Sequence, residues 1–290
     1  MKILNTLHSE NEVLQRLNFN HIPILPPGIT GLIHALSDDS IGFTQLAKKI
    51  ELYPAIATRL IGIANSAWSG PVNKITSLEI ACARLGFNII RSVGIALAVA
   101  SPFDANRCPG FNGKYFWTTA LLAAEGATLL SASSPSTEVK PVSARAAGMM
   151  HNLGLLLLSD QLPVEVNEAI KLTNRGEYEH LDESLQFMLG FNHCDAGRLL
   201  AKSWQLPQIF IDAMAYQIID EDAEKSSQDM AMIMRVTTLI VSALQQNQPV
   251  SIPEDQLTPL AISSTEITKI HQRLFKQLEK LEVMAETLFL

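Results

Sequence analysis

Few side chains in this 290-residue sequence have the types and spacings that chemistry needs. In Met150-His151-Asn152-Leu153-Gly154, an imidazole and a carboxamide interrupt an apolar helical run. Such a pair costs free energy when buried unless it is hydrogen-bonded or ligated. A satisfied core pair is the commoner outcome, a ligand pair the rarer one. A second candidate, Ala81-Cys-Ala-Arg-Leu-Gly-Phe-Asn-Ile-Ile-Arg91, is a helix, a glycine turn and a second helix, locally like a DNA-reading helix-turn-helix. A recognition helix needs basic and amide groups to neutralise phosphate and reach base edges. After Asn88 the chain runs Ile89 to Ala100 with Arg91 as its one basic residue, so that helix reads as core. The sequence contains no Gly-rich phosphate loop, nucleophile elbow or metal-type Cys/His spacing. His34 and His180 read as surface or rim residues, Asp182-Glu183 as ordinary first-turn acidity, and Trp68, Trp117 and Trp204 as core anchors.

The elements that must position these groups are helical throughout, so the fold is all-α. An apolar-periodic stretch covers 6–18, and Leu25-Pro26-Pro27-Gly28 opens a helix toward Leu36 with its prolines in the first turn. Asp38-Asp39-Ser40 offers caps for a helix carrying Ile41, Leu46, Ala47 and Ile50. Pro54 starts the next, Thr76-Ser77 caps one that stops at Gly86, and Asn88 caps one that ends near Ala100. Asp104 to Gly113, with Pro109 and Gly110, looks loose and marks a boundary between two halves. Helices follow at 114–131, 141–159, 163–175, 179–189, 194–205 and 207–219. Gly176 and Gly190 fit C-terminal caps; Pro141, Pro163 and Pro207 fit helix starts. The 141–159 helix is apolar nearly all round and should be the buried hub of the second half. After an acidic link come a helix near 229–246 and one long final helix. That helix is capped by Ser263 with Glu266 and striped by Ile267, Ile270, Leu274, Leu278, Leu281, Met284 and Leu288. The stripe reads as packing onto its own domain, with a homodimer seam as the other reading.

Composition narrows the function classes. Lys+Arg 22 against Asp+Glu 29 gives a net charge of −7, which argues against general affinity for nucleic acid or anionic lipid. Hydrophobic residues at 47% exclude disorder, and charged residues at only 18% hint at a surface that a partner covers. Cys82, Cys108 and Cys194 are odd in number and far apart, which excludes a disulfide scaffold. His8, Glu10 and Glu12 precede any apolar core of signal-peptide length. The longest apolar stretches, Val93 to Ala100 and Leu153 to Leu158, fall far short of the ~18 residues that span a bilayer. The expectation is a soluble cytoplasmic protein with no membrane partner.

Six blocks, in order, carry a resemblance. They are Leu25-Pro-Pro-Gly, Tyr53-Pro-Ala-Ile-Ala-Thr-Arg-Leu-Ile-Gly-Ile-Ala-Asn-Ser-Ala, Ile75-Thr-Ser-Leu-Glu-Ile-Ala-Cys-Ala-Arg-Leu-Gly, Ala147-Gly-Met-Met-His-Asn-Leu-Gly, Leu189-Gly-Phe-Asn-His-Cys-Asp-Ala-Gly-Arg-Leu-Leu and Trp204-Gln-Leu-Pro. Together, over residues 22–219, they resemble the HDOD domain, an all-α relative of the HD and HD-GYP metal-dependent phosphohydrolases. The resemblance implies a multi-helix domain in two lobes, about 22–103 and 114–219, the second HD-like. Helical extensions at 1–21 and 220–290 would pack on it. It also implies a bacterial signal-transduction or regulatory module.

The departures from the hydrolase pattern decide the expected chemistry. Such an enzyme holds divalent metal with a His from one helix, a His-Asp pair from a second, and His or Asp groups from later helices, because the metal must activate water and grip phosphate oxygens. Here the pair is His151-Asn152, the earlier ligand position falls in Thr118-Thr119-Ala120, and the later ones fall near Tyr216-Gln217 and Thr237-Thr238. His193 and Asp195 are left as ligands, although Asn192 and Asp195 also suit a helix cap and first turn. The remnant pocket is therefore His151, Asn152, His193 and Asp195, with no catalytic residue, no metal and no cofactor. A divergent phosphohydrolase would use His151 and His193 as metal ligands. The expected function is a non-catalytic scaffold for a signalling protein, or for a small nucleotide; nucleic-acid binding ranks last.

Overall fold

Prolines and short polar side chains set many of the helix starts in the computed structural model, which describes Leu17 and residues 23–25, 27–36, 38, 40–66, 69–70, 73–216 and 224–289. Among the described residues there are helices and turns but no strand. The first group is α1 (Ile29–Leu36), α2 (Phe43–Glu51), α3 (Pro54–Ala64), α4 (Leu78–Leu85) and α5 (Phe87–Ala100). The second is α6 (Gly113–Ser133), α7 (Pro141–Met150), α8 (Leu153–Gln161), α9 (Pro163–Asn174), α10 (Leu181–Leu189), α11 (His193–Ser203) and α12 (Gln208–Met214). Then come α13 (Lys225–Gln245), α14 (Glu254–Leu257), α15 (Ser264–Phe275) and α16 (Leu278–Phe289). The N-terminal extension (bar Leu17), Trp68, Gln217 and the acidic link at 220–223 lie outside the described residues.

Pro54, Pro141 and Pro163 occupy first turns, where a missing N–H costs nothing. Ser77 and Ser263 accept from Ile80 and Glu266 N–H. Three starts differ from the sequence reading. Asp38 Oδ1 instead accepts from Ser40 N–H and Oγ–H (2.8 and 2.7 Å), a local turn that leaves Gly42 to precede α2. Gly86, at φ +80°, precedes α5, placing Asn88 one residue inside it. Pro27 lies in a turn ahead of α1, and Gly28 at φ +84° lets the Tyr53 hydroxyl sit where a Cβ would be. The loose-looking 104–113 segment holds a 3-10 turn, Ala105–Arg107, joined to α8 through Arg107–Asp160 (3.3 Å).

Two expected single helices are each two helices. The 141–159 run breaks at His151-Asn152 because its halves follow different neighbours. A Cβ on Gly148 would lie 2.5 Å from Ala124 Cα, and one on Gly154 only 1.9 Å from the His193 carbonyl oxygen. Only glycine allows α7 to close on α6 and α8 to close on α11. The final helix breaks at Lys276-Gln277, so that α15 packs on α6 and α13 while α16 packs on α6 and α3. Ile267, Ile270, Leu274, Leu281, Met284 and Leu288 are all buried within the chain.

The hub is α6 rather than the 141–159 run: it packs against α7, α13, α15 and α16. Ala120, Ala123, Ala124, Gly126 and Ala127 give it a narrow surface that lets neighbours approach closely. A largely buried ion pair, Arg145–Glu125 at 2.7 Å, ties α7 to it. One apolar cluster runs from Leu17 to Leu288. Among the described residues no single helix is long and apolar enough to cross a membrane.

Candidate functional site

The α7–α8 break delivers the polar pair to the interior. His151, 3 % exposed, ends α7 in helical geometry, and its Nδ1 lies 2.7 Å from the Gly148 carbonyl. A carbonyl only accepts, so Nδ1 carries the hydrogen and Nε2 the lone pair. Burial lowers the imidazole pKa to about 4; the Gly148 carbonyl opposes this and His193 adds to it. His151 is therefore neutral at neutral pH. Asn152, 6 % exposed, donates Nδ2–H to the Phe116 carbonyl of α6 at 3.4 Å, and its Oδ1 is buried with no partner among the described residues.

His193 opens α11 and faces the same region. Burial lowers its pKa, against the pull of Asp182 and Asp195, and its Nδ1 is buried without a partner among the described residues. Its Nε2 lies 3.6 Å from Cys194 Sγ. Asp195 takes the capping role: its Oδ2 accepts from Asn192 N–H (3.0 Å), while Asn192 Oδ1 accepts from Cys194 and Asp195 N–H (2.8 and 3.3 Å).

Tyr216, just past α12, brings the two imidazoles together. Its ring centre lies 6.2 Å from that of His151 and 6.5 Å from that of His193. Burial pushes its hydroxyl well above the usual phenol range, reinforced by Cys194 and Asp182, and the hydroxyl hydrogen-bonds with the Cys194 and Thr238 side chains. Tyr216, Cys194 and Asp182 are thus pocket residues that the sequence reading did not assign. Only the position of Tyr216 against the hydrolase pattern signalled it, and Asp182 looked like any first-turn acid.

These residues do not fit a divalent metal. Among the described residues no three His, Cys, Asp or Glu side chains come together as a ligand set. Asn152 stands where the anionic oxygen belongs, and Asp195 is turned to its own helix. Thr118 and Thr237 are buried with hydroxyls that lack partners among the described residues, and a hydroxyl is a poor donor to a hard cation compared with carboxylate. Apart from the Asp182 carboxylate and the Cys194 thiol, what the pocket offers is neutral: two imidazoles, a carboxamide and a phenol.

The helix-turn-helix candidate resolves differently. α4 and α5 meet at 116° across Gly86, but α5 lies in the core. Arg91 is 6 % exposed, sits 5.0 Å over the Phe87 ring and donates to the Asp38 carbonyl at 2.5 Å. The expected core anchors Trp117 and Trp204 are buried, and His34 and His180 are exposed. All three cysteines are buried, and none is in a disulfide.

A family model of the HDOD domain matches residues 22–219. An uncharacterized protein of Treponema pallidum (strain Nichols) is 25% identical over 206 residues, covering 67% of this chain and 37% of that protein, so the match spans little more than a third of the relative's length. Among solved structures, an HDOD domain protein with unknown function from Geobacter sulfurreducens superposes with TM-score 0.70 at 18% identity, covering 96% of this chain and 98% of its own. A candidate signal transduction protein from Marinobacter aquaeolei VT8 superposes with TM-score 0.83 at 16% identity, covering 98% of this chain and 67% of its own. At these identities the structural likeness establishes the fold.

Proposed function

The chain belongs to the HDOD domain family, and from that premise we propose that it is a non-catalytic bacterial signal-transduction module. It works in the cytoplasm as a binding scaffold, without metal or other cofactor. Its partner is a signalling protein; a small nucleotide in the pocket around His151 is the second candidate ligand. One observation carries the reading: the His151-Asn152 pair is neutral and buried, and the nearest sequence-adjacent carboxylate on α11, Asp195, is committed to its helix cap. Metal-dependent hydrolysis of a phosphodiester uses a cation to polarise phosphate and lower the pKa of water, and among the described residues no three ligating side chains come together to hold one.

Elemental analysis of protein purified without chelator, for the native chain and for His151→Ala, tests the proposal. The expected result is no stoichiometric metal in either protein, and no turnover of a chromogenic phosphodiester with added Mn²⁺ or Mg²⁺. About one metal per native chain, lost in a folded His151→Ala variant, would overturn the reading in favour of a divergent phosphohydrolase.

A further inference from the structure

α9 and α10 form a hairpin that turns two aromatic rings away from the core. Gly176, at φ +72°, ends α9: its N–H donates to the Thr173 carbonyl (2.9 Å) and the Glu177 N–H to the Leu172 carbonyl (3.1 Å), so the chain doubles back. The Thr173 and Ser184 hydroxyls pin the two helices together at 2.7 Å. α10 buries Ser184, Leu185 and Leu189 on one side. Phe187 falls on the other and is 68% exposed. Its ring lies 5.5 Å from that of Tyr178, with the planes 35° apart. Neither ring belongs to the apolar cluster that runs from Leu17 to Leu288. Folding thus leaves an aromatic pair, held by a rigid turn, on the surface, and aromatic side chains are enriched where proteins meet.

The charge around the pair is one-sided. Residues 163–190 hold six of the 29 acidic residues and, of the 22 basic ones, only Lys171 and Arg175. Each base meets one acid, Lys171–Glu168 at 3.2 Å and Arg175–Glu177 at 3.7 Å, and the surplus stays anionic. Glu183 shares a helix face with Phe187 at i, i+4, and its Oε2 accepts from the Glu179 and His180 N–H groups (3.2 and 3.4 Å). Glu177 and Glu179 flank Tyr178; Glu179 is 81% exposed and 3.9 Å from His180 Nε2. We propose that the Tyr178–Phe187 pair and its carboxylates are a docking surface for a basic segment of the partner protein. An arginine lies against the rings, where its planar cation gains from their π faces, and flanking cations meet Glu177, Glu179 and Glu183. The long, exposed Arg175–Glu177 pair yields easily to them. Nucleic acid and anionic lipid would be repelled. A second copy joined by a two-fold axis would set these carboxylates against themselves. The proposal rests on the scaffold reading for the existence of a partner, but not on the metal analysis that tests that reading, so each can fail alone.

The test is the anisotropy of a fluorescein-labelled peptide of alternating arginine and glycine, titrated with the full chain. The native chain should bind it. Phe187→Ala, which leaves the net charge unchanged, should weaken binding about fivefold or more, and Phe187→Tyr, which returns a ring, should restore it. Glu177→Gln together with Glu179→Gln should weaken binding too and flatten its dependence on salt. No binding to the native chain would overturn the proposal. Equal binding to native and Phe187→Ala would overturn it as well, by reducing the attraction to net charge. Self-association of the native chain in sedimentation, abolished by Phe187→Ala, would overturn it in favour of a second copy. Should Phe187→Ala lose its native circular dichroism, the native chain decides by nuclear magnetic resonance. The Tyr178 and Phe187 ring signals should shift when the peptide is added, and unmoved signals would overturn the docking surface.

Discussion

His151 is the residue at which burial and protonation are most tightly joined. Its folded pKa of about 4 lies below the ordinary 6.5 because the charged form is desolvated. Between those values the unfolded chain binds a proton that the native chain refuses, so stability is full above pH 6.5 and falls as pH drops toward 4. The slope from one such group approaches about 1.4 kcal/mol per pH unit, and the lowered pKa of His193 acts in the same direction. Urea melts at pH 7, 6 and 5 should show the native chain weakening, and His151→Gln should remove one proton's worth of that slope. An unchanged slope in His151→Gln would mean that the imidazole reaches solvent. Asn152→Asp probes the neighbouring position with the opposite sign. The new carboxyl would be buried beside the Phe116 carbonyl, which repels its anion but accepts from its protonated form. Its folded pKa should rise. The cost of the substitution then grows with pH above about 4 and levels at roughly 2–4 kcal/mol near neutrality. Melts of the two proteins should converge at low pH; if the variant instead gains stability on adding Mn²⁺ at pH 7, the pocket still has the geometry of a metal site.

At the scale of elements, glycine contacts separate what the sequence makes legible from what it hides. Starts at Pro54, Pro141 and Pro163 and caps at Ser77, Asn192 and Ser263 are local, each readable from a few neighbouring residues, and the structure has them in place. The breaks at His151-Asn152 and Lys276-Gln277 are not local. Apolar periodicity runs through both, and what bends the chain is the direction of α6, α11 and α3, which no window of α7, α8, α15 or α16 contains. The same reason hid Tyr216, which meets His151 and His193 from just past α12, 65 and 23 residues further along the chain. Gly154→Ala should test this directly. Its Cβ would meet backbone at 1.9 and 2.5 Å, so α8 must move off α11, at a cost of roughly 2–4 kcal/mol. Gly148→Ala, against the α6 backbone at 2.5 Å, should behave alike. Gly31→Ala, in α1 with nothing within 4 Å of the new methyl, should instead stabilise by about 0.5–1 kcal/mol. Denaturant melts of the three variants check the order, and a mild Gly154→Ala would show that the α8–α11 contact yields.

For the whole molecule, length and contact pattern favour different unfolding behaviour. Chains well beyond 150 residues commonly unfold in steps, and the sequence itself suggests a boundary at 104–113. Against that, a single apolar cluster reaches from Leu17 to Leu288, α5 packs on α7 and α8 across the boundary, and α16 rests on both α3 and α6. Trp204 adds a polar tie: at the end of α11, 7 % exposed, its Nε1–H donates to the Pro23 carbonyl at 2.7 Å while its ring lies 5.9 Å from that of Phe103. Opening either group of helices alone would expose the apolar faces of α5 and α7 and leave the Pro23 carbonyl without this donor. The contacts therefore outweigh the length, and the described chain should unfold in one cooperative step. Tryptophan fluorescence, sensitive to Trp204, and far-ultraviolet circular dichroism should give coincident urea transitions. Trp204→Phe should shift both to lower urea by roughly 1–3 kcal/mol, combining the lost hydrogen bond with lost packing, and should leave them coincident. If the fluorescence transition came first in the native chain, the two groups of helices would be separable units and the tie at Trp204 a late, local contact.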